Sequence, residues 1–421
     1  MRTTWCVLVA VLGMRAGANG AELAAGKPGK APTLPAPKGK VTRVGTIDEL
    51  RRALPAAREG ETILLADGVY DAGGRGFLRL GKDNVSLRGE SGDPAKVVLK
   101  GKGFRVHDRG EELIKVEAKG ITIADLTIRD VGSNGIKLQT GANHDLLVHN
   151  VHFIDIGERC IKGPKEEHSR NGVVRYCVFE QVTPITADIP NLEFHGDYIA
   201  GMDMMRIDGW RIHDNVFKNI RGRNGRGRGG IFFWIGSRNC IVERNTFIGC
   251  DRSISFGNPT GQQDMTNGII RNNFIYAGKR QAIELCHVDR VKVYNNSIYH
   301  MDDVREETIS LLDARDVNIR NNIVFSKTKG VSGEGYTAEN NLWFTDPSPA
   351  GRLFVDPARG DFHLKPTAVE AIDKGVKIAE LESDWDGQKR TGAPDIGADE
   401  VIPSALGQYR STGETTSQPA S

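Results

Sequence analysis

Two lysines occupy the same place in two short apolar segments of the sequence, GIKLQ (135–139) and CIKGP (160–164). If these segments are neighbouring parallel strands, about 4.8 Å apart, Lys137 and Lys162 project side by side from one sheet face. Stacked like charges are unfavourable unless an anion or a carboxylate compensates them. The pair therefore indicates either two solvated surface lysines or a cationic row that binds the carboxylates of a uronate-containing polysaccharide.

Aromatic and polar residues occupy the equivalent positions of later segments. In GIFFW (230–234) Phe232 and Trp234 point outward, in SISFG (253–257) Ser255 does, and in AIELC (282–286) Glu284 does. The two aromatic rings could form an apolar platform for a sugar, or a neighbouring loop could cover them. Ser255 extends the predicted substrate-binding row, and Glu284 is a candidate metal ligand.

A long segment, residues 181–209, separates two of these units, and loops over a rigid scaffold often carry function. It contains His195 and Asp197, which could orient a base or share a metal ion, although such a pair is equally common in structural loops. Asp203 in the same segment is a second candidate metal ligand. We expect this insert to cover the predicted cleft.

A glycine-rich loop with four arginines follows the insert, RGRNGRGRGG (221–230), and its Arg223, Arg226 and Arg228 are candidate anion-binding residues. Runs of this kind also occur in RNA-binding segments and in solvated loops. The chain balances 56 Lys and Arg against 54 Asp and Glu, a net charge of +2, which argues against a nucleic-acid partner. The residues favour an acidic polysaccharide.

The elements that must position these side chains repeat along the sequence. Nine segments align on their Asn and apolar positions, as VKVYNNSI (291–298) and VNIRNNIV (317–324) do, and most lie 23 to 30 residues apart. Each unit holds alternating apolar residues, a turn that tolerates a left-handed backbone and is Asn-Asn in the last four segments, and one more short strand. A period of this length predicts an all-β solenoid, a right-handed parallel β-helix of about ten or eleven coils with a ladder of stacked asparagines.

The ends of the chain differ from the repeats. A charged start and the apolar run WCVLVAVLGM (5–14) predict an export signal, and no later run is long enough for a membrane helix. Thr46 and Glu49 form a capping box that predicts a short helix before the first strands. The predicted divisions are a signal peptide (1–21), a disordered linker (22–40), the β-helix (41–345), a C-terminal segment packed on it (346–401) and a disordered tail (402–421).

Three stretches resemble known β-helix proteins. The segment with FVDPARGDFHLKP and GAPDIGADE (346–400) resembles the C-terminal signature of extracellular pectate-lyase-like right-handed β-helix proteins. The start, TIDELRRALPAAREGETILLADGVYD, is similar to the capping segment of the alginate lyase and chondroitinase B family, and the middle block, GMDMMRIDGWRIHDNVFKNI, resembles a bacterial branch of the superfamily. The resemblance implies the fold, while the catalytic neighbourhoods of the lyase family do not align.

These observations lead to a functional hypothesis. We expect a secreted or periplasmic, monomeric protein that is not inserted in a membrane and that cleaves an acidic polysaccharide by β-elimination. Lys162 or His195 would act as the base, while Lys137 and Arg228 would neutralise the uronate carboxylate. Family precedent adds calcium, held here by Asp203 and Glu284. A C5-epimerase and a non-catalytic carbohydrate-binding β-helix stay open as alternatives.

Overall fold

The computed structural model is a stack of short parallel strands. It describes residues 30–103, 105, 111–139, 143–164, 166–189, 193–261, 264–302, 304 and 306–401. The predicted signal peptide, the first residues of the linker and the C-terminal tail therefore lie outside the described residues. Every strand pair in the stack is parallel, because the chain runs in the same direction along each wall in successive coils.

One sheet of ten strands, called the first sheet below, contains the short apolar segments in which Lys137 and Lys162 occur. Its strands are Leu78–Leu80, Glu112–Val116, Asn134–Leu138, Arg159–Lys162, Ala200–Met205, Gly229–Trp234, Ile254–Phe256, Ile283–Cys286, Ile309–Leu312 and Val331–Ser332. Ten strands agree with the predicted number of coils.

A sheet of twenty-one strands forms the remaining walls of the coil. Its strands before the Asn turn, some of which continue through it, are Val41–Val44, Thr62–Leu65, Ser86–Gly89, Thr122–Val131, Leu147–Ile156, Val173–Arg175, Arg211–His213, Ile241–Glu243, Ile269–Arg271, Lys292–Tyr294, Val317–Arg320 and Tyr336–Glu339. Its strands after the turn are Gly68–Asp71, Val97–Lys100, Val178–Glu180, Val216–Lys218, Thr246–Ile248, Phe274–Tyr276, Ser297–His300, Ile323–Ser326 and Leu342–Phe344.

The remaining elements are short. A five-stranded sheet consists of Ser169–Arg170, Ile207–Asp208, Ser237–Arg238, Met265–Thr266 and Val288–Asp289. An antiparallel pair joins Phe354–Asp356 to Asp361–Leu364. The α-helices are Ile47–Ala56 and Ala350–Leu353, and the 3-10 helices are Glu193–Gly196 and Pro357–Arg359. No helix in the described part of the chain is long and apolar enough to cross a membrane.

The predicted asparagine ladder is present. The first Asn of the turn takes a left-handed backbone, as Asn295 does with φ 48°, and the second points into the coil. Asn273 is fully buried: its Oδ1 accepts a hydrogen bond from the Asn245 backbone N–H (3.0 Å), and its Nδ2 donates to Asn296 Oδ1 (2.9 Å). The ladder thus satisfies backbone donors at the turns, which would otherwise be buried without partners.

We expect Asn273→Ala to lower the free energy of unfolding by about 3 kcal/mol, because it leaves the buried Asn245 N–H and several carbonyls unpaired. Asn318→Ala is the matched control, because Asn318 is half-buried and, among the described residues, its side chain donates only to Thr337 Oγ1 (3.1 Å). Its cost should stay within about 0.5 kcal/mol in the same urea titration. Equal losses for the two variants would contradict a stabilising role for the ladder.

The first helix begins as predicted. Thr46 Oγ1 accepts the Glu49 N–H (3.2 Å), and Glu49 Oε2 accepts the Gly45 N–H (2.7 Å). Leu50 and Leu54 of this helix are buried in the same apolar core as the inward residues of the coils. The apolar side of the helix therefore packs into the core of the solenoid.

The C-terminal segment packs on the outside of the large sheet. Phe274 and Phe325, which project outward from that sheet, are buried in a second apolar cluster with Phe354 and Phe362. The DIGADE stretch contacts the Asn turns, since the Gly397 N–H donates to the Asn321 carbonyl (2.8 Å). The segment therefore covers outward-facing aromatic residues of the large sheet.

Two predictions need correction. Residues 30–40 are not all disordered, since Arg88 donates to the Pro35 carbonyl (2.8 Å) and His149 Nε2 contacts the Pro32 carbonyl (2.9 Å). The insert 181–209 is not wholly a loop, because Ala200–Met205 is a strand of the first sheet. The five cysteines of the described residues are buried free thiols.

Candidate functional site

The outward residues of the first sheet form a continuous line along the solenoid, which we call the outer row. Strand register places these side chains in one line on successive strands: Lys115, Lys137, Lys162, Asp203, Phe232, Ser255, Glu284 and Ser310. The alternation in each short strand produces this line, because every second residue faces outward. The predicted neighbours Lys137 and Lys162 are confirmed, and Asp203 is a member of the line that the repeats did not reveal.

Asp203 is the carboxylate that compensates the lysine charges. It is fully buried, and its Oδ2 lies 2.5 Å from Lys162 Nζ and 3.3 Å from Arg159 Nε, while Trp234 Nε1 donates to its Oδ1 (2.9 Å). Burial alone would raise the pKa of Asp203, but the charges of Lys162 and Arg159 hold it below its ordinary value. Asp203 is therefore the ion-pair partner of Lys162 and Arg159.

Lys137 has different surroundings. Its Nζ contacts the Gly163 carbonyl at 3.5 Å, and no carboxylate of the described residues lies within 4.0 Å of it. Burial and the charge of Lys162 lower the pKa of Lys137 to about 8. The two lysines therefore differ in their surroundings, because Lys162 forms the ion pair with Asp203 and Lys137 has the lowered pKa.

Arg228 lies over the aromatic part of the outer row. Its Cζ is 4.4 Å from the centre of the Phe232 ring, and its Nε and Nη2 are buried without a hydrogen-bond partner among the described residues. Unsatisfied buried donors of a guanidinium are costly, and a bound anion would satisfy them. This geometry suits the predicted role of Arg228 as a carboxylate-binding residue.

The aromatic platform is not exposed as predicted. Phe232 is fully buried beneath Arg228 and stacks on Trp234, with ring centres 5.1 Å apart, so that only Trp234 stays partly accessible. Ser255 is also fully buried, and its hydroxyl donates to the Arg228 carbonyl (3.2 Å). Both residues support Arg228 from below and are not in reach of a substrate, because the loop before the strand covers them.

The residues predicted to hold calcium do not form a site. Asp203 and Glu284 lie three strands apart in the outer row, about 14 Å at the usual strand spacing. Glu284 is 4% exposed, and its Oε1 lies 3.3 Å from Arg252 Nε. Each carboxylate thus faces a cation of the protein, and a calcium ion needs several oxygen ligands at one point.

The insert and the arginine loop contact each other beside the first sheet. Asp197 accepts hydrogen bonds from the backbone and side-chain amides of Asn224 (2.8 and 2.9 Å), which belongs to the loop. His195 is exposed and takes a left-handed backbone, with φ 58°. Arg223 donates to the Ile189 carbonyl of the insert, and Arg226 is exposed. Asp197 therefore orders the loop, and these contacts do not place His195 and Arg226 on the outer row.

Sequence reasoning missed two residues at the centre of the site. Arg159 is 4% exposed and lies over the Tyr198 ring, with Cζ 3.8 Å from the ring centre. Burial and the charge of Asp203 raise the pKa of Tyr198, so its hydroxyl keeps its proton. Arg159 lies on the same predicted strand as Lys162, three residues before it, so the sequence could have indicated that the two cations lie close together. Tyr198 lies in the insert, and the sequence did not indicate that it contacts Arg159.

Comparisons with known proteins agree with this architecture. The sequence profile of the family described as right handed beta helix region matches residues 206–346. A search of the curated proteins finds no sequence that matches the chain. Among solved structures, pectate lyase Pel9A is 16% identical with a TM-score of 0.60, and the alignment covers 83% of this chain and 90% of that one.

Two further solved structures have lower scores. A mannuronic acid specific polysaccharide family 6 lyase from human gut microbiota is 14% identical with a TM-score of 0.46, over 76% of this chain and 90% of that one. The A-module of the Azotobacter vinelandii mannuronan C-5 epimerase AlgE6 is 12% identical with a TM-score of 0.45, over 72% and 98%. At the identity of Pel9A, the likeness shows the fold alone, and it confirms the right-handed parallel β-helix.

Proposed function

We propose that this pectate-lyase-like right-handed β-helix protein binds an acidic polysaccharide along the outer row and cleaves it by β-elimination. The observation that carries the proposal is the contrast between two stacked lysines: Lys162 is ion-paired with buried Asp203, while Lys137 lies beside it without a carboxylate. A protonated amine and an amine that can lose its proton thus stand on neighbouring strands. Elimination from a uronate needs both kinds of group.

These positions support an elimination in which Lys137 is the base. Lys137 Nζ removes the C5 proton of a uronate unit, the electron pair passes toward the C6 carboxylate, and the C4–O glycosidic bond then breaks. Lys162 and Arg159 hold positive charge where the C6 carboxylate gains electron density. Tyr198 keeps its proton and lies beside Lys162, with 5.6 Å between Nζ and the ring centre, so we assign it as donor to the leaving oxygen.

Arg228 would bind a second carboxylate of the same chain. It lies beside the strand of Phe232, three strands along the row from Lys137, about 14 Å at the usual strand spacing. A single uronate does not span that distance, so the carboxylate at Arg228 belongs to another sugar unit. A polymer is therefore favoured over a monosaccharide as substrate, and secretion or export to the periplasm would bring the protein to such polymers.

The proposal is tested by incubating the protein with polygalacturonate, polymannuronate and polyguluronate, and with neutral dextran as control. A lyase produces the near-ultraviolet absorbance of an unsaturated uronate, while a C5-epimerase changes the ratio of sugars without that absorbance. A binding protein does neither, and it is only retained on a column of immobilised polymer. Absence of new absorbance with every polyuronate would overturn the elimination and leave the two alternatives.

We expect kcat/KM on the active polyuronate to rise with pH and to level off above about pH 8. The neutral form of Lys137 is the base, and the pKa of about 8 means that protonation removes it at lower pH. A pH titration of initial rates in a buffer of constant ionic strength measures this profile. A rate that falls between pH 6 and pH 8 would contradict an amine base.

A further inference from the structure

A second cluster of chemical groups lies on the C-terminal segment, away from the outer row. Atoms of His363, Asp386 and Asp399 that can bind a metal all lie within 4.8 Å of one another. The three residues come from different parts of the segment: His363 belongs to the strand Asp361–Leu364, Asp386 to a turn before Gly387, and Asp399 to the DIGADE stretch. The fold alone brings them together.

The imidazole of His363 is oriented by a carboxylate on its other side. His363 Nδ1 contacts Asp361 Oδ1 at 2.5 Å, and His363 Nε2 faces Asp386 Oδ2 at 3.1 Å. When Asp361 accepts the Nδ1 proton, the Nε2 lone pair points toward Asp386. Metal-binding histidines commonly have this arrangement, in which a second carboxylate fixes the tautomer and the ring orientation.

The carboxylates of the cluster outnumber the cations. Asp399 is 5% exposed; its Oδ2 accepts the Leu364 N–H (2.7 Å), and no side chain of the described residues donates to it. Asp384 is fully buried beside the turn, and the buried guanidinium of Arg390 is engaged by Glu400 (3.0 Å). Buried negative charge without an equal number of cations favours a bound cation.

We infer that His363, Asp386 and Asp399 bind a divalent transition-metal ion, with Zn²⁺ as the best match to one imidazole nitrogen and two carboxylates. Each ligand atom would have to move less than about an ångström toward a common ion to form metal–ligand bonds of about 2.0 to 2.2 Å. Asp386 is exposed, so the ion can enter from solvent, and water would complete its coordination. The site is independent of the proposed lyase reaction.

Such an ion would stabilise the contact between the C-terminal segment and the solenoid. The Trp385 ring stacks on Phe274, with ring centres 4.5 Å apart, and the His363 ring lies edge-on to both, at 5.2 and 5.1 Å. Phe274 belongs to the large sheet of the solenoid. An ion that joins the three parts of the segment would therefore hold this aromatic contact closed, and Trp385 fluorescence should report the binding.

The test uses the full, untagged chain after treatment with EDTA and dialysis, and the probe is Zn²⁺ alone. We expect one Zn²⁺ per chain by metal analysis and a rise in Tm of about 3 °C at one hundred times the dissociation constant. Asp386→Asn should abolish both effects, and because Asp386 is exposed, this variant should fold. Asp346→Asn, an exposed aspartate of the same segment, is the matched control and should bind Zn²⁺ as the wild type does.

A proton on His363 is the competing occupant, because an imidazolium between Asp361 and Asp386 also balances charge. In that case the wild type retains less than about 0.1 Zn²⁺ per chain and its Tm does not respond to Zn²⁺, Mn²⁺ or Ca²⁺. That result would overturn the inference. Stoichiometric Zn²⁺ binding that survives in Asp386→Asn would overturn it as well, because the ion would then lie elsewhere.

Discussion

Lys137→Met is expected to lower kcat on the active polyuronate by about 10² to 10⁴, the usual contribution of a general base. Lys137→Arg should lose as much activity, since its guanidinium keeps the charge but does not give up its proton near neutral pH. Binding of the polymer should persist in Lys137→Arg, so the loss should fall on kcat and not on KM. Initial rates and retention on immobilised polymer measure the two quantities separately.

The matched control is Lys115→Met. Lys115 occupies the next position of the outer row, and its Nζ is paired with Glu112 at 2.9 Å, so its replacement should change kcat less than about threefold. If Lys137→Met retained full activity, the outer row would not be the catalytic site. The arginine loop with His195 would then become the leading candidate.

Replacing Lys137 should not destabilise the protein at neutral pH. The ordinary pKa of 10.5 in the unfolded chain falls to about 8 in the folded chain, so the unfolded state binds more protons between these two values. The folded protein therefore carries the full penalty of the charged amine below pH 8, and the penalty disappears as the pH rises toward 10.5. Lys137→Met should remove this part of the pH dependence, which urea titrations at pH 7 and pH 10 will show.

Asp203→Asn is expected to lower the free energy of unfolding by about 3 to 5 kcal/mol. The carboxylate is fully buried and faces Lys162 and Arg159, and a neutral amide would remove the anion that pairs with the Lys162 ammonium, while Arg159 would keep its ion pair with Glu158. Turnover should fall too, because Lys162 would no longer be held in place. Urea unfolding at neutral pH measures the first effect and initial rates the second.

Asp208→Asn provides the control, because Asp208 lies in the same coil and also pairs with an arginine. Its carboxylate is accessible to solvent, as is the guanidinium of its partner Arg238, so the loss should stay below about 1 kcal/mol. A loss of less than 1 kcal/mol for Asp203→Asn would mean that the ion pair with Lys162 does not stabilise the fold. Lys162 would then be free to act as the base, as the sequence first suggested.

Deletion of residues 188–203 is expected to destabilise the fold, although the sequence predicted an insert that only covers the cleft. Removing residues 188–203 would take four residues from the strand Ala200–Met205, whose neighbours in the first sheet are Arg159–Lys162 and Gly229–Trp234. The sequence concealed this strand because its outward residue is a carboxylate and its inward residues are methionines. The Asn turns that mark the other coils lie on another wall.

The sequence by itself determined the solenoid and the outward positions of Lys137, Lys162, Phe232, Ser255 and Glu284. Both follow from local patterns, the period of the Asn turns and the alternation within short strands, and the strand register confirms them. Only the tertiary structure decided what those positions do. Asp203 reaches Lys162 across 41 residues of chain, and Arg228 covers Phe232 from a loop.

The direction of a side chain and its chemical behaviour have different physical causes. Periodicity sets the direction of a side chain, but pKa and exposure depend on the distances to charges and to apolar groups from other coils. Burial and the charge of Lys162 lower the pKa of Lys137, while Lys162 forms an ion pair with Asp203. The assignment of base and cation within the lysine pair was therefore open until the packing of the insert against the first sheet was known.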